Sequence, residues 1–195
     1  MRLITEGRMA GPNTRLLTAR HDLAAKVEER PVQIGILSDS HDCLPRIKDA
    51  IEKMNTFPIE LVLHAGDYSA PFVTDYYKPL KVKIRGVFGN NDAERVILGN
   101  KFEQLGHEVR GKFAEAMADS LRIAVTHGDE PELLRSLTTC GAYDVVVHGH
   151  THDAKLTEQG KTLVINPGEV CGYLSGKSTF AILDTSTREA RLISF

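Results

Sequence analysis

From residue 32 onward, apolar and polar positions follow two alternating rhythms. Short runs rich in valine, isoleucine and leucine, VQIGIL, IELVL, VKIRGVF, LRIAV and YDVVV, each break into a polar loop, which predicts buried strands. Between them, CLPRIKDAIEKMN carries apolar residues three or four apart and predicts an amphipathic helix; PFVTDYYKPL and residues 131–139 also read as helical. Residues 112–117 predict a hairpin strand ahead of LRIAV, and residues 93–112 and 168–178 predict loops. Beyond residue 153 the helical rhythm stops. AKLTEQGKTLVINPG and STFAILDTSTREARLISF predict hairpins turning at QG and TST. Strands alternating with helices predict an α/β domain with a largely parallel sheet and helices outside. The late hairpins predict a second, antiparallel-rich sheet packed against it.

Residues 1–31 differ. Leu16, Ala19, Leu23 and Val27 form a stripe at helical spacing, with Thr14 to cap it and Pro31 to stop it. They predict an added helix or N-terminal arm, with a packing surface for a second copy as one use, ahead of a single domain over residues 32–195. A net charge of −2 removes the basic stripe that nucleic-acid binding would need. No apolar run approaches the roughly 20 residues that span a bilayer. The start, MRLITEGRMA, has no apolar core of the signal-peptide kind. Three scattered cysteines give neither a disulfide framework nor a CxxC zinc site, so a cytoplasmic protein with reduced thiols is expected.

The chemistry lies where those five strands end. Asp39 and His41 stand in SDSHD, Asp67 in AGDY, Asn90 in GNND, His127 in THGD, and His150 with His152 in GHTH. Loops at the carboxyl ends of strands in an α/β sheet converge on one crevice. Alternate residues of an extended segment point the same way, so Asp39 and His41 are expected to grip one ion together. By the same rule His150 and His152 pair up, unless the turn after Gly149 divides them between two ions. Carboxylate and amide oxygens with imidazoles suit divalent manganese, iron, nickel or zinc, manganese foremost; the lack of cysteine ligands argues against structural zinc. Seven ligands exceed what one catalytic ion takes, which predicts two divalent ions and a bridging carboxylate.

The ordered set D-x-H, GD, GN-x-D, HGD and GHTH resembles the calcineurin-like metallophosphoesterase superfamily, and within it the small single-domain phosphodiesterases of bacteria and archaea. The resemblance covers residues 32 to about 190. It implies a four-layer α-β-β-α sandwich of two mixed sheets. It places Asp39, His41 and His152 on one ion, Asn90, His127 and His150 on the other, and Asp67 between them. A hydroxide held between the ions would attack the phosphorus of a small phosphorylated substrate, most naturally a phosphodiester. Many relatives carry histidine where this chain has Asn91, and Asp92 matches the acidic residue that orients it. These two are the candidate catalytic residues, with asparagine able to donate a hydrogen bond but not a proton.

Other polar residues read as structural. His64 and His148 are expected to be hydrogen-bonded rather than ligating, with His64 beside the ligands; His21 and His107 are expected at the surface. Cys43 is expected to be an inert thiol, and Asp42, Asp129 and Asp153 loop or cap residues. Glu169, where serine commonly follows NPG in the family, is expected to face away from a phosphate site. The rival reading is a binding scaffold, as the retromer small subunit has this fold.

Overall fold

The computed structural model describes residues 32–195. The arm or helix expected over residues 1–31, with His21, lies outside the described residues. In chain order the first half runs β1 (Gln33–Leu37), α1 (Leu44–Met54), β2 (Ile59–His64), a 3₁₀ helix (Pro71–Tyr77), β3 (Lys83–Gly86), α2 (Arg95–Gln104) and β4 (Glu108–Val109). The second half runs β5 (Phe113–Ala118), β6 (Leu121–Thr126), α3 (Pro131–Thr139), β7 (Val145–Val147), β8 (Lys155–Gln159), β9 (Thr162–Asn166), β10 (Thr179–Asp184) and β11 (Glu189–Ser194).

Two mixed sheets form, in the orders β11-β10-β1-β2-β3-β4 and β5-β6-β7-β9-β8. Strands β1 to β4 are parallel, and β10 joins β1 antiparallel. In the second sheet β6, β7 and β9 are parallel, with β5 and β8 antiparallel at the edges. Alternation along the strands sorts the side chains into three cores. Ile34 and Ile36 of β1 meet Ile123, Val125, Val145 and Val147 between the sheets. Leu37, Val62 and Ile84 turn the other way, onto Ile47, Ile51 and Met54 of α1 and Phe102 of α2. Ala124 and Val146 pack under Leu137 of α3. The product is the α/β, four-layer α-β-β-α sandwich. Gly35 brings α1 close, since a Cβ there would stand 2.9 Å from Met54 Sδ.

The hairpins are shared out differently from the expectation. β8–β9 extends the second sheet, but β10–β11 returns to the first. Phe180 and Ile182 face the helices while Ala181 and Leu183 face the other sheet, so β10 is buried on both sides. A two-sided strand belongs beside another central strand, not at an edge. Likewise β6 and β7 join the second sheet instead of continuing the first. Residues 93–112 are not a plain loop, because α2 and β4 occupy them. Three consecutive apolar residues, Val96 to Leu98, and Gly99 mid-helix blur its rhythm; only Leu98 and Phe102 are buried. His107 is not at the surface. It is buried and its Nδ1 accepts the Ile84 amide at 3.2 Å, with burial lowering its pKa.

Candidate metal centre

The loops after β1, β2, β3, β6 and β7 gather at one end of the sandwich and are stitched to one another through their main chains. Asp39 N donates to Gly66 O at 3.1 Å, His41 N to Asp67 O at 2.8 Å, and Gly149 N to His127 O at 2.8 Å. His150 N donates to the Asp39 carboxylate at 3.1 Å. Such proximity requires glycine. A Cβ on Gly89 would lie 2.7 Å from the Asp67 amide nitrogen, and one on Gly149 would lie 2.5 Å from Asp39 Oδ2.

The extended geometry expected for SDSH and GHTH is not what places the ligands. Asp39 (φ 52°), His41 (φ 45°), Asp67 (φ 58°), His150 (φ 69°) and His152 (φ 60°) are all left-handed. Each costs on the order of 1–3 kcal/mol for a side chain with a Cβ, and persists because the surrounding hydrogen bonds over-determine it.

All seven predicted ligands reach this one cluster. Asp67 sits at its centre, with Oδ2 3.4 Å from His127 Nε2 and 3.9 Å from His41 Nε2. On one side Asp39 Oδ1 is 3.3 Å from His152 Nε2, and the rings of His41 and His152 are 5.4 Å apart. On the other, His127 Nε2 is 3.0 Å from Asn90 Oδ1, and the His127 and His150 rings are 5.2 Å apart. Asp39 and His127 are fully buried and Asp67 nearly so, whereas Asn90 and His150 face solvent.

The donor set calls for cations. His127 Nδ1 donates to Ala65 O at 2.8 Å, so in the neutral ring Nε2 is a lone pair, facing the oxygens of Asn90 and Asp67. Asp39 Oδ1 and His41 Nε2 are buried with no hydrogen-bond partner. The electrostatics agree. Against the cost of burial, Asp67 raises the His127 pKa. The Asp39 carboxylate, opposed by burial and aided by Glu169, pushes His152 up to about 9. Asp67 is held well below the usual carboxylate range: burial opposes this, and His127 and Asn91 overcome it. Oxygen and imidazole donors around buried negative charge fit borderline divalent ions. The Cys171 thiol also lies near His41 and His152, but burial pushes it up to about 12 and it donates to Glu169 at 3.1 Å, so it stays protonated and is a poor ligand.

Asn91 and Asp92, the candidate catalytic residues, both hydrogen-bond to Asp67. Asn91 gives Asp67 its backbone N–H at 2.8 Å and its side-chain amide at 2.7 Å. Asp92 is buried and accepts the amides of Asp67, Ser69 and Gly89 at 3.0, 2.7 and 2.8 Å, tying the GD and GN loops together. His64 does similar work, as expected of a structural histidine. Its Nδ1 accepts the Gly66 amide at 3.1 Å and its Nε2 meets Tyr77 Oη at 3.2 Å; that hydroxyl donates to Ser40 Oγ at 2.9 Å. The expectation for Glu169 fails. It is fully buried and points inward, 2.6 Å from His152 Nδ1. An acidic residue between Gly168 and Gly172 at a strand end was the available signal, the same one that marks the ligands.

A model of the calcineurin-like phosphoesterase superfamily domain matches residues 32–188. A phosphodiesterase of Methanocaldococcus jannaschii is 42% identical over 163 residues, spanning 83% of this chain and 98% of its own. The solved structure of an archaeal phosphodiesterase matches with a TM-score of 0.80 and 41% identity, covering 84% of this chain and all of that one. Vps29 from Entamoeba histolytica matches with a TM-score of 0.61 over 84% of this chain and 99% of its own; at 18% identity that likeness is one of fold alone. Among the described residues, no helix is long and apolar enough to cross a membrane.

Proposed function

The chain belongs to the calcineurin-like phosphoesterase superfamily, and we propose that within it the protein is a divalent-metal-dependent phosphodiesterase acting on a small phosphorylated substrate. One observation carries the reading: a buried carboxylate, Asp67, lies between two groups of oxygen and imidazole donors, with Asp39 Oδ1 and His41 Nε2 beside it buried and without a hydrogen-bond partner among the described residues. Asp39, His41 and His152 would hold one ion and Asn90, His127 and His150 the other, with Asp67 shared. Divalent ions in such a site make water nucleophilic near neutral pH and offset charge on the phosphoryl oxygens. Manganese is the ion we favour, over iron, nickel and zinc.

The chain's own residues supply the order. Ala65 O fixes the His127 tautomer so that Nε2 faces the site, and Glu169 does the same for His152. Asn91 and Asp92 hold Asp67 in its strained conformation. No imidazole stands at Asn91 to protonate a departing oxygen, so diesters with leaving groups of low pKa are favoured. Retention of Asp39, His41, Asp67 and His152 favours this reading over a scaffold of the same fold. Three free cysteines suit a reducing compartment, which supports the cytoplasm as its location.

The test is hydrolysis of a chromogenic phosphodiester and the matching monoester with added Mn²⁺. Wild type is expected to turn over the diester in a metal-stimulated manner, with Asp67→Ala reduced at least about 100-fold. Absence of metal-stimulated turnover on either ester would leave the scaffold.

A further inference from the structure

Five donors converge on the two oxygens of Glu169. They are His152 Nδ1 at 2.6 Å, the Cys171 thiol at 3.1 Å, and the backbone amides of Tyr173, Leu174 and Ser175 at 2.9, 3.0 and 2.5 Å. Three consecutive amides between Gly172 (φ 70°) and Gly176 (φ 73°) form a concave N–H array of the sort that captures anions, and here the anion is the chain's own side chain. The segment is also fastened to the first ligand loop, because Val170 N donates to Ser38 O and Cys171 N to Asp39 O, both at 3.1 Å.

The two halves of this contact set look onto different parts of the site. One half turns His152 so that Nε2 faces Asp39 Oδ1 at 3.3 Å. The other shapes residues 173–175. Tyr173, 59% exposed, lies with its ring 6.2 Å from that of His41. Leu174 and Ser175 wall a groove of about 400 Å³ that opens directly beside His152 and carries Lys177. The apolar Leu174 side chain beside the Lys177 ammonium suits an ester group attached to an anionic phosphate, and the exposed Tyr173 ring offers an aromatic ester a stacking face next to His41.

We propose that Glu169 is a positioning residue coupling ion binding to substrate recognition: one buried carboxylate fixes His152 toward the metal and holds the 173–175 loop that walls the substrate groove. The groove's occupant rests on the phosphodiesterase reading; the coupling itself does not. Gln in place of Glu169 keeps the size but turns an NH₂ toward groups that are all donors.

The experiment compares wild type, Glu169→Gln and Tyr173→Ala, each verified as folded by its thermal transition. Mn²⁺ dissociation constants are measured by calorimetry on metal-stripped protein, and exchange of the residue 173–175 amides by hydrogen–deuterium exchange. Glu169→Gln is expected to weaken Mn²⁺ about 10- to 100-fold and to lose protection at all three amides. Tyr173→Ala should leave Mn²⁺ affinity within about twofold and raise KM for an aromatic diester at saturating Mn²⁺. Should Glu169→Gln not fold, Glu169→Asp takes its place, keeping the charge one methylene short, with a smaller loss of the same two quantities. A folded Glu169 variant with unchanged Mn²⁺ affinity, or with amide protection intact, overturns the coupling. If wild type hydrolyses no diester while both quantities shift as stated, the coupling stands and the phosphodiesterase reading falls.

Discussion

At Asp67 the backbone is left-handed, the carboxylate is buried, and it accepts two hydrogen bonds from Asn91 beside the His127 ring. The site is made of residues that would be costly anywhere else and are held by others outside the candidate ligand set. His64 is one of these, and its titration makes its role measurable. Burial pushes His64 down from an ordinary 6.5 to about 3. As pH falls below 6.5 the unfolded chain takes the proton, while the folded protein refuses it until about 3. Stability from this group is therefore complete above 6.5 and declines through that window, by up to about 1.4 kcal/mol per pH unit. Urea unfolding of the metal-free protein should show the stability gap between wild type and His64→Gln narrowing from pH 7 to pH 5, by up to about 2 kcal/mol. A gap independent of pH would contradict a neutral, buried His64. That the seven candidate side chains would cluster was legible in the sequence because carboxylates, asparagine and histidines at successive strand ends have few other reasons to be there. Glu169 was not. An acidic side chain beside an anion site reads as repulsive until the donors around it are known, and those come from residues up to 17 positions away.

The same contrast holds for elements. Helix α1 was legible because Ile47, Ala50, Ile51 and Met54 fall on one face and Pro45 lies in its first turn. Helix α2 was not, since Val96 and Ile97 are exposed next to buried Leu98. What holds it is a single large anchor. Phe102 is fully buried, with ring centroids 4.9 Å from Tyr68 and 5.3 Å from Tyr77. Phe102→Ala is expected to cost about 3–5 kcal/mol in urea unfolding, whereas Val96→Ala, at a 77% exposed position, should change stability by no more than about 0.5 kcal/mol. Equal effects would mean that α2 is not docked through Phe102. Strand β10 teaches a related point: the alternation of Phe180, Ala181, Ile182 and Leu183 predicts a strand correctly but is silent about its sheet, because both faces are apolar.

Across the whole molecule, the candidate ligands come from both sheets. Asp39, His41, Asp67 and Asn90 follow strands of one, and His127, His150 and His152 follow strands of the other. The sandwich thus places two parallel sets of strand ends against each other, and the candidate metal site is the seam where they meet. Five loops far apart in sequence could be assigned to one crevice because parallel strands share their carboxyl ends; the φ angles that aim each side chain could not be read from spacing. In the proposed function this seam holds two ions with Asp67 between them. Anomalous diffraction from crystals soaked in Mn²⁺ tests it directly. Two peaks are expected about 3.5–4 Å apart, both within coordinating distance of the Asp67 carboxylate, one flanked by Asp39, His41 and His152 and the other by Asn90, His127 and His150. A single peak, or two of which Asp67 reaches only one, would contradict it.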